Sequence, residues 1–413
     1  MRIKNVLLFT AAVALAVACK KEGCTDQAAT NYDDNANNDD GSCQYDGTGG
    51  GGTGGGNSED PDYNLAGNTG SPITITDVYE NSSAVDYYVD GTWNINAAVT
   101  IEPGVRILMK AGARINVSSN GSLDASGTSA DKIYFVGEQD VEGYWLYIQF
   151  DGSNNPNNKL NHVVVKNAGS SSTRPASVYV RGNSRLQMQN TTVSTSESNG
   201  LEVNSSDGKL INFENNYFTK NGLNAIKVNN LTQASEIDFN TDFDTDNVYN
   251  RIYISGGDVN QASTLSKVQG PFYLAGTTRI YADMQITEGT EIHMGPGAAV
   301  NVYSAGSLNM SGTPTERVTI KGGQEVEGFW SHIQYDDSNN PNNVIEYTDI
   351  SHGGSSSTRP ANLYLRQSAQ VTMSNSSSNY SQSYGVNGTA SATFNDGGGN
   401  TYEGNQQGDN TYN

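Results

Sequence analysis

The stretch Val99–Val136, VTIEPGVRILMKAGARINVSSNGSLDASGTSADKIYFV, decides the fold class. Its apolar residues recur in short runs at every second position: Val99–Ile101, Val105–Met109, Arg114–Val117 and Lys132–Val136. That period places one set of side chains on each face of a strand. Pro103-Gly104, Asn120-Gly121 and Gly127-Thr128 separate the runs and supply turn chemistry. The same texture continues through Leu146–Phe150, Asn161–Val165, Ser177–Arg181, Leu186–Met188 and Leu201–Val203. Beyond the first eighteen residues, no stretch longer than about ten keeps a helical period. Many short strands with frequent turns make a sandwich, a barrel or a parallel β-helix. The shortness of the strands favours the β-helix, as do the Asn, Gly and Ser at their ends. So do the interleaved Asn, Ser and Thr, which can ladder from coil to coil. The expected fold is all-β, a right-handed parallel β-helix or solenoid.

This block is duplicated with a 185-residue period. Gly91-Thr92 matches Gly276-Thr277, Gly121-Ser122-Leu123 matches Gly306-Ser307-Leu308, and Val141–Trp145 matches Val326–Trp330. Between Val141–Met188 and Val326–Met373 there are 24 identities in 48 positions. The period is too long for one solenoid turn, so each copy contains several. The organisation reads as a signal peptide (1–18), an acidic segment (19–46), a Gly-rich linker (47–62), copy one (63–258) and copy two (259–413).

The run Ile101-Glu102-Pro103-Gly104-Val105, followed by Gly121-Ser122-Leu123, Gly127-Thr128 and Gly143–Phe150, resembles right-handed parallel β-helix proteins of the pectin-lyase-like superfamily. The second copy keeps Gly328–Tyr335 but carries Glu288 in place of Pro103. The resemblance covers Trp93–Val203 and Thr278–Gly388. It implies a fold shared by lyases, hydrolases, tailspikes and adhesins, and so no single activity.

Arg2 and Lys4, the apolar run Val6–Ala18 and the small residues before Cys19 make a secretory signal. Its thirteen apolar-run residues are too few to span about 30 Å of hydrocarbon. Leu15-Ala16-Val17-Ala18-Cys19 resembles a bacterial lipobox, which implies acylation of Cys19. The expected address is the outer membrane, lipid-anchored, with display at the cell surface. Lys20-Lys21-Glu22 loosely resembles outward-sorting signals. Cys24 and Cys43 then remain as an even pair in an oxidising compartment, and are expected to form a disulfide. Gly23–Cys43 resembles a short Cys-bounded acidic repeat of secreted Bacteroidetes-type proteins. Asp26, Asp33, Asp34, Asp39 and Asp40 offer the hard oxygen ligands that Ca2+ prefers, but not at EF-hand spacing. A solvated, stapled spacer is the plainer reading. The Gly47–Asp62 coil should reach about 20–24 Å.

Formal charge is −21, and −23 once Arg2 and Lys4 leave with the signal. Such a chain repels phosphate backbones, so nucleic acid is not an expected partner. The best-kept stretches between the copies are loops: Asp151–Asn158 with Asp336–Asn343, and Ser170–Ala176 with Ser355–Ala361. Loops usually drift, so retention points either to fixed corner geometry or to a shared task. If the task is binding, amides, hydroxyls, arginine and aromatic rings suit a shallow glycan groove. The candidate ligand-binding residues are Trp145, Asp151, Arg174, Tyr179 and Arg181, with Trp330, Asp336, Arg359, Tyr364 and Arg366; the two tryptophans each follow a glycine at the head of a strand and equally suit core or edge packing. Catalytic signatures are weak, because each histidine faces a non-histidine in the other copy and no metal or nucleophile motif occurs. A lyase reading would need Asp140, Glu142 and Asp151 to converge with Arg174, and Glu325, Glu327 and Asp336 with Arg359. The expected role is polysaccharide binding or adhesion without catalysis and with no cofactor other than Ca2+. A polysaccharide lyase or glycosidase of the same fold is the alternative, and a purely structural surface protein the third.

Overall fold

The computed structural model describes residues 63–412 apart from 80, 82 and 244, together with 22–23, 35 and 38–39. The signal segment, Cys19, Cys24, Cys43, Asp26, Asp33, Asp34, Asp40 and the glycine linker all lie outside these residues. Asp39 belongs to a two-residue strand, Asn38–Asp39, paired in parallel with Glu22–Gly23. Residues 59–413 form one compact unit, distinct from 1–58.

That larger unit is a parallel β-solenoid of about 13 turns, each about 26 residues long. One sheet of 13 strands runs its whole length, from Gly67–Thr69 to Ser377–Asn379. Every strand pairing in it is parallel, which excludes the sandwich and the up-and-down barrel. In chain order each turn continues from this long sheet into a second and then a third sheet. In the first half these run from Ile73–Ile75 to Lys209–Glu214 and from Tyr87–Val89 to Tyr217–Thr219. In the second half they run from Gly257–Val259 to Gly408–Asn410 and from Ser263–Leu265 to Thr393–Asp396. The change-over is the turn holding the helix Leu231–Ala234, where only isolated bridges, Phe213 to Ile237 and Tyr217 to Asp242, continue the earlier sheets.

The period-two pattern is what fills the interior. Ile115, Ile148, Val178, Leu201, Ile226, Ile252, Phe272 and Ile292 are aligned on consecutive rungs, and all are buried. Stacking like on like at about 4.8 Å removes nearly all their surface from water, the main stabilising term. Corners are made by single residues in the left-handed region. His162 and Tyr347 have φ of 51° and 44°, and Asn190 and Asn375 both have 49°. These pairs are 185 residues apart, so the matched sequences turn at matched places.

The matched sequence stretches lie out of step in the solenoid. Tyr147–Asp151 lies in the long sheet, but its counterpart His332–Asp336 lies in the second sheet. Seven turns along the long sheet lead from Tyr147–Asp151 to Val318–Gly322, and one further strand leads to His332–Asp336. Matching surfaces of the two copies therefore face different sides of the rod.

Candidate functional site

Most of the retained loop residues are occupied in making corners. Ser153 Oγ donates to the Gly121 carbonyl at 2.6 Å. Asn158 Nδ2 donates to Ser153 O and Oγ at 2.8 and 2.9 Å, and its Oδ1 accepts the Leu123 N–H at 3.2 Å. Ser338 and Asn343 repeat every one of these bonds in the second copy. Both asparagines are buried, so each bond replaces one that water would otherwise make. Asn158→Ala should destabilise the protein by roughly 3 kcal/mol, because two buried backbone groups lose their partners. Equilibrium denaturation checks this, and a change under about 0.5 kcal/mol, the range of an ordinary surface substitution, would contradict it.

Both tryptophans are core residues. Trp145 and Trp330 are fully buried, and their indole N–H groups donate at 2.7 Å to the carbonyls of Lys166 and Ser351. No ligand can stack on either ring. This corrects the reading of these two as binding residues: a glycine before a strand marks an inward-turning corner here.

Arg174 and Arg359 bring their loops over the outward face of a sheet. Arg174 lies 5.4 Å from the Tyr147 ring centre, and its buried Nε has no partner; nor has the buried Oε1 of Gln149. In the second copy Arg359 Nε donates to Gln334 Oε1, the matching atom pair. Tyr179 is buried beside them, and burial followed by the Glu202 charge pushes its hydroxyl up to about 12. Tyr364 is half-buried in the corresponding place. Gln149, Gln334 and Tyr179 are thus covered, while Arg174, Arg359 and Tyr364 stay partly exposed.

The acids of the lyase reading are scattered over different corners. Asp140 pairs with Lys166 at 2.8 Å, and Asp151 pairs with Arg181 at 3.5 Å rather than with Arg174. Asp336 likewise pairs with Arg366 at 3.1 Å, not with Arg359, while Glu327 accepts a hydrogen bond from Gln406. Among the described residues, no group of three or more His, Cys, Asp or Glu is placed to hold a metal ion.

One assembly of partly exposed groups stands apart, and it belongs to the second copy. Tyr281, Tyr303, Asp336 and Arg366 occupy one column on four successive turns, at the corner between the second and third sheets. The two tyrosine rings stack at 4.9 Å with 9° between their planes. Two residues beyond Tyr281, Asp283 borders an open groove of about 440 Å3. The groove floor carries Gln285 and Asn309 on adjacent rungs, with Thr264 before them. Ser307 donates to Asp283 at 2.6 Å, and Asn340, from the retained loop, reaches the same carboxylate at 3.3 Å. Asn342 of that loop also lines the groove. In the first copy the tyrosines are replaced by Asn96 and Ser118, and Lys159 pairs with Asp124 at 2.9 Å, at the position that Asn309 takes in the second copy. Val344 stands where Lys159 does, so no such ion pair forms on Asn309.

A second cluster is not apparent in the sequence either. Arg251 on the long sheet lies over Tyr249, Tyr253 and Tyr273, at 4.3, 5.5 and 3.9 Å, and donates to Asn224 at 2.7 Å. Tyr253 and Tyr273 are register partners on adjacent turns, but that turn is shorter than the usual 26 residues, so no regular spacing in the sequence marks the pair. Comparison of the chain with protein-family models, with curated proteins and with solved structures finds no match. The β-helix fold itself is consistent with pectin-lyase-like proteins.

Proposed function

We propose that this protein is a lipid-tethered surface protein whose solenoid binds polysaccharide without cleaving it. The observation that carries the reading is the corner of the second copy, where two stacked, partly exposed tyrosines adjoin a groove lined by amides, hydroxyls and one carboxylate. Tyrosine offers a rigid apolar face with little rotamer entropy to lose, and sugars present apolar C–H faces ringed by hydroxyls. Asp283, Gln285, Asn309 and Asn342 supply acceptors and donors for those hydroxyls. The predicted residues Asp336 and Arg366 continue the tyrosine column.

Anchoring through Cys19, a stapled Cys24–Cys43 segment and a glycine coil would hold this surface away from the outer membrane. The layout suits a large external ligand. The scattered carboxylates favour binding over turnover, because a glycosidase needs two carboxyl groups facing one bond.

A glycan array probed with the full chain tests the proposal. The wild type should retain at least one polysaccharide class, and Tyr281→Ala/Tyr303→Ala should weaken that binding about tenfold or more, about 1.4 kcal/mol. Retention unchanged by the double substitution would remove the corner from the binding surface. Release of new reducing ends or unsaturated product would show an enzyme instead.

A further inference from the structure

Resting on that reading, we infer that the corner takes a neutral, extended polysaccharide lying parallel to the solenoid axis, with one sugar unit per turn. Three observations carry this. The first is geometry. Tyr281, Tyr303, Asp336 and Arg366 follow one another from rung to rung along the axis, with the Thr264, Gln285 and Asn309 floor beside them. Their spacing is that of the rungs, about 4.8 Å, which is close to the rise of one unit in an extended β-linked glycan. A chain that coils would leave the column after a unit or two.

The second is charge. Among the described residues, the groove lining contains no lysine or arginine, and Asp283 sits in it. Arg366 is already engaged by Asp336 at 3.1 Å. The surrounding molecule carries a formal −21. An acidic polymer would meet repulsion in the groove with no cation there to offset it.

The third is the contrast with the first copy. There the column begins with Asn96 and Ser118, and a Lys159–Asp124 ion pair lies where the second copy has Val344 and Asn309. The first-copy corner therefore lacks the tyrosine pair that stacks in the second.

The track spans four turns, so affinity should depend on ligand length in a definite way. Titrating the full chain with β-1,4-linked gluco-oligosaccharides of two to eight units should show affinity rising about tenfold up to four or five units. It should then level off. Maltooligosaccharides of the same lengths should bind more weakly and without that plateau, and polygalacturonate should not compete. Asp283→Asn should narrow the gap between neutral and carboxylated polymers. The inference is overturned if some other glycan binds at Tyr281 and Tyr303 but affinity ignores length, or if polygalacturonate binds better. If no glycan binds at all, the proposed function itself fails.

Discussion

Replacing Trp145 with alanine is expected to lower stability by about 4–5 kcal/mol, near the upper end of what a single core truncation costs. The ring is wholly buried between turns, and its N–H satisfies the Lys166 carbonyl at 2.7 Å. Alanine removes the packing, leaves a cavity and orphans that carbonyl. Phenylalanine retains most of the apolar contact and loses the hydrogen bond, so Trp145→Phe should cost about 1–2 kcal/mol. Trp330, bonded in the same manner to Ser351, should behave alike. Denaturant unfolding of the two Trp145 variants measures both effects. A loss below about 1 kcal/mol for Trp145→Ala, far less than a buried tryptophan contributes, would mean that the ring is not core.

The second large effect is a dependence of stability on pH that comes from His332. Burial, followed by the nearby Arg359 charge, holds its imidazole down to about 4. Its nitrogens face Ser331 Oγ at 2.7 Å and Asn301 Oδ1 at 3.1 Å. In the unfolded chain the same group titrates near 6.5. Between those values the unfolded state binds the extra proton. The contribution is therefore complete above pH 6.5, falls as pH drops, and is gone below about 4, amounting to roughly 3 kcal/mol. His352, also pushed below its ordinary value by burial, acts in the same direction. His332→Tyr installs the residue that the first copy carries at Tyr147 and removes only the His332 share. The difference between wild type and this variant should change by about 3 kcal/mol from pH 7 to pH 4. A difference that stays flat with pH would contradict the assignment.

The fold is legible in the sequence because a solenoid repeats one simple demand. Inward positions such as Ile148, Val178 and Leu201 must be apolar at every second residue, and corner positions such as Asn190 and Asn375 must tolerate a left-handed backbone. The site is legible only in part. Ser153, Asn158, Trp145 and their counterparts stand out because both copies keep them, and both keep them because the corners need them. Asp336 and Arg366 stand out for the same reason, but their partners Tyr281 and Tyr303 do not. Those tyrosines are 22 residues apart and absent from copy one. Only the register between turns brings them together. The one-face rotation between the copies is likewise hidden, because a 185-residue period says nothing about how many turns it contains.

Whether this corner is a saccharide track is tested most directly by a crystal structure of the full chain with a bound β-1,4-linked oligosaccharide of five or six units. The expected result is sugar rings against Tyr281 and Tyr303, the chain parallel to the solenoid axis, and hydroxyls within hydrogen-bond distance of Asp283 and Gln285. An oligosaccharide seated on another face, lying across the turns, or cleaved during the experiment would contradict it.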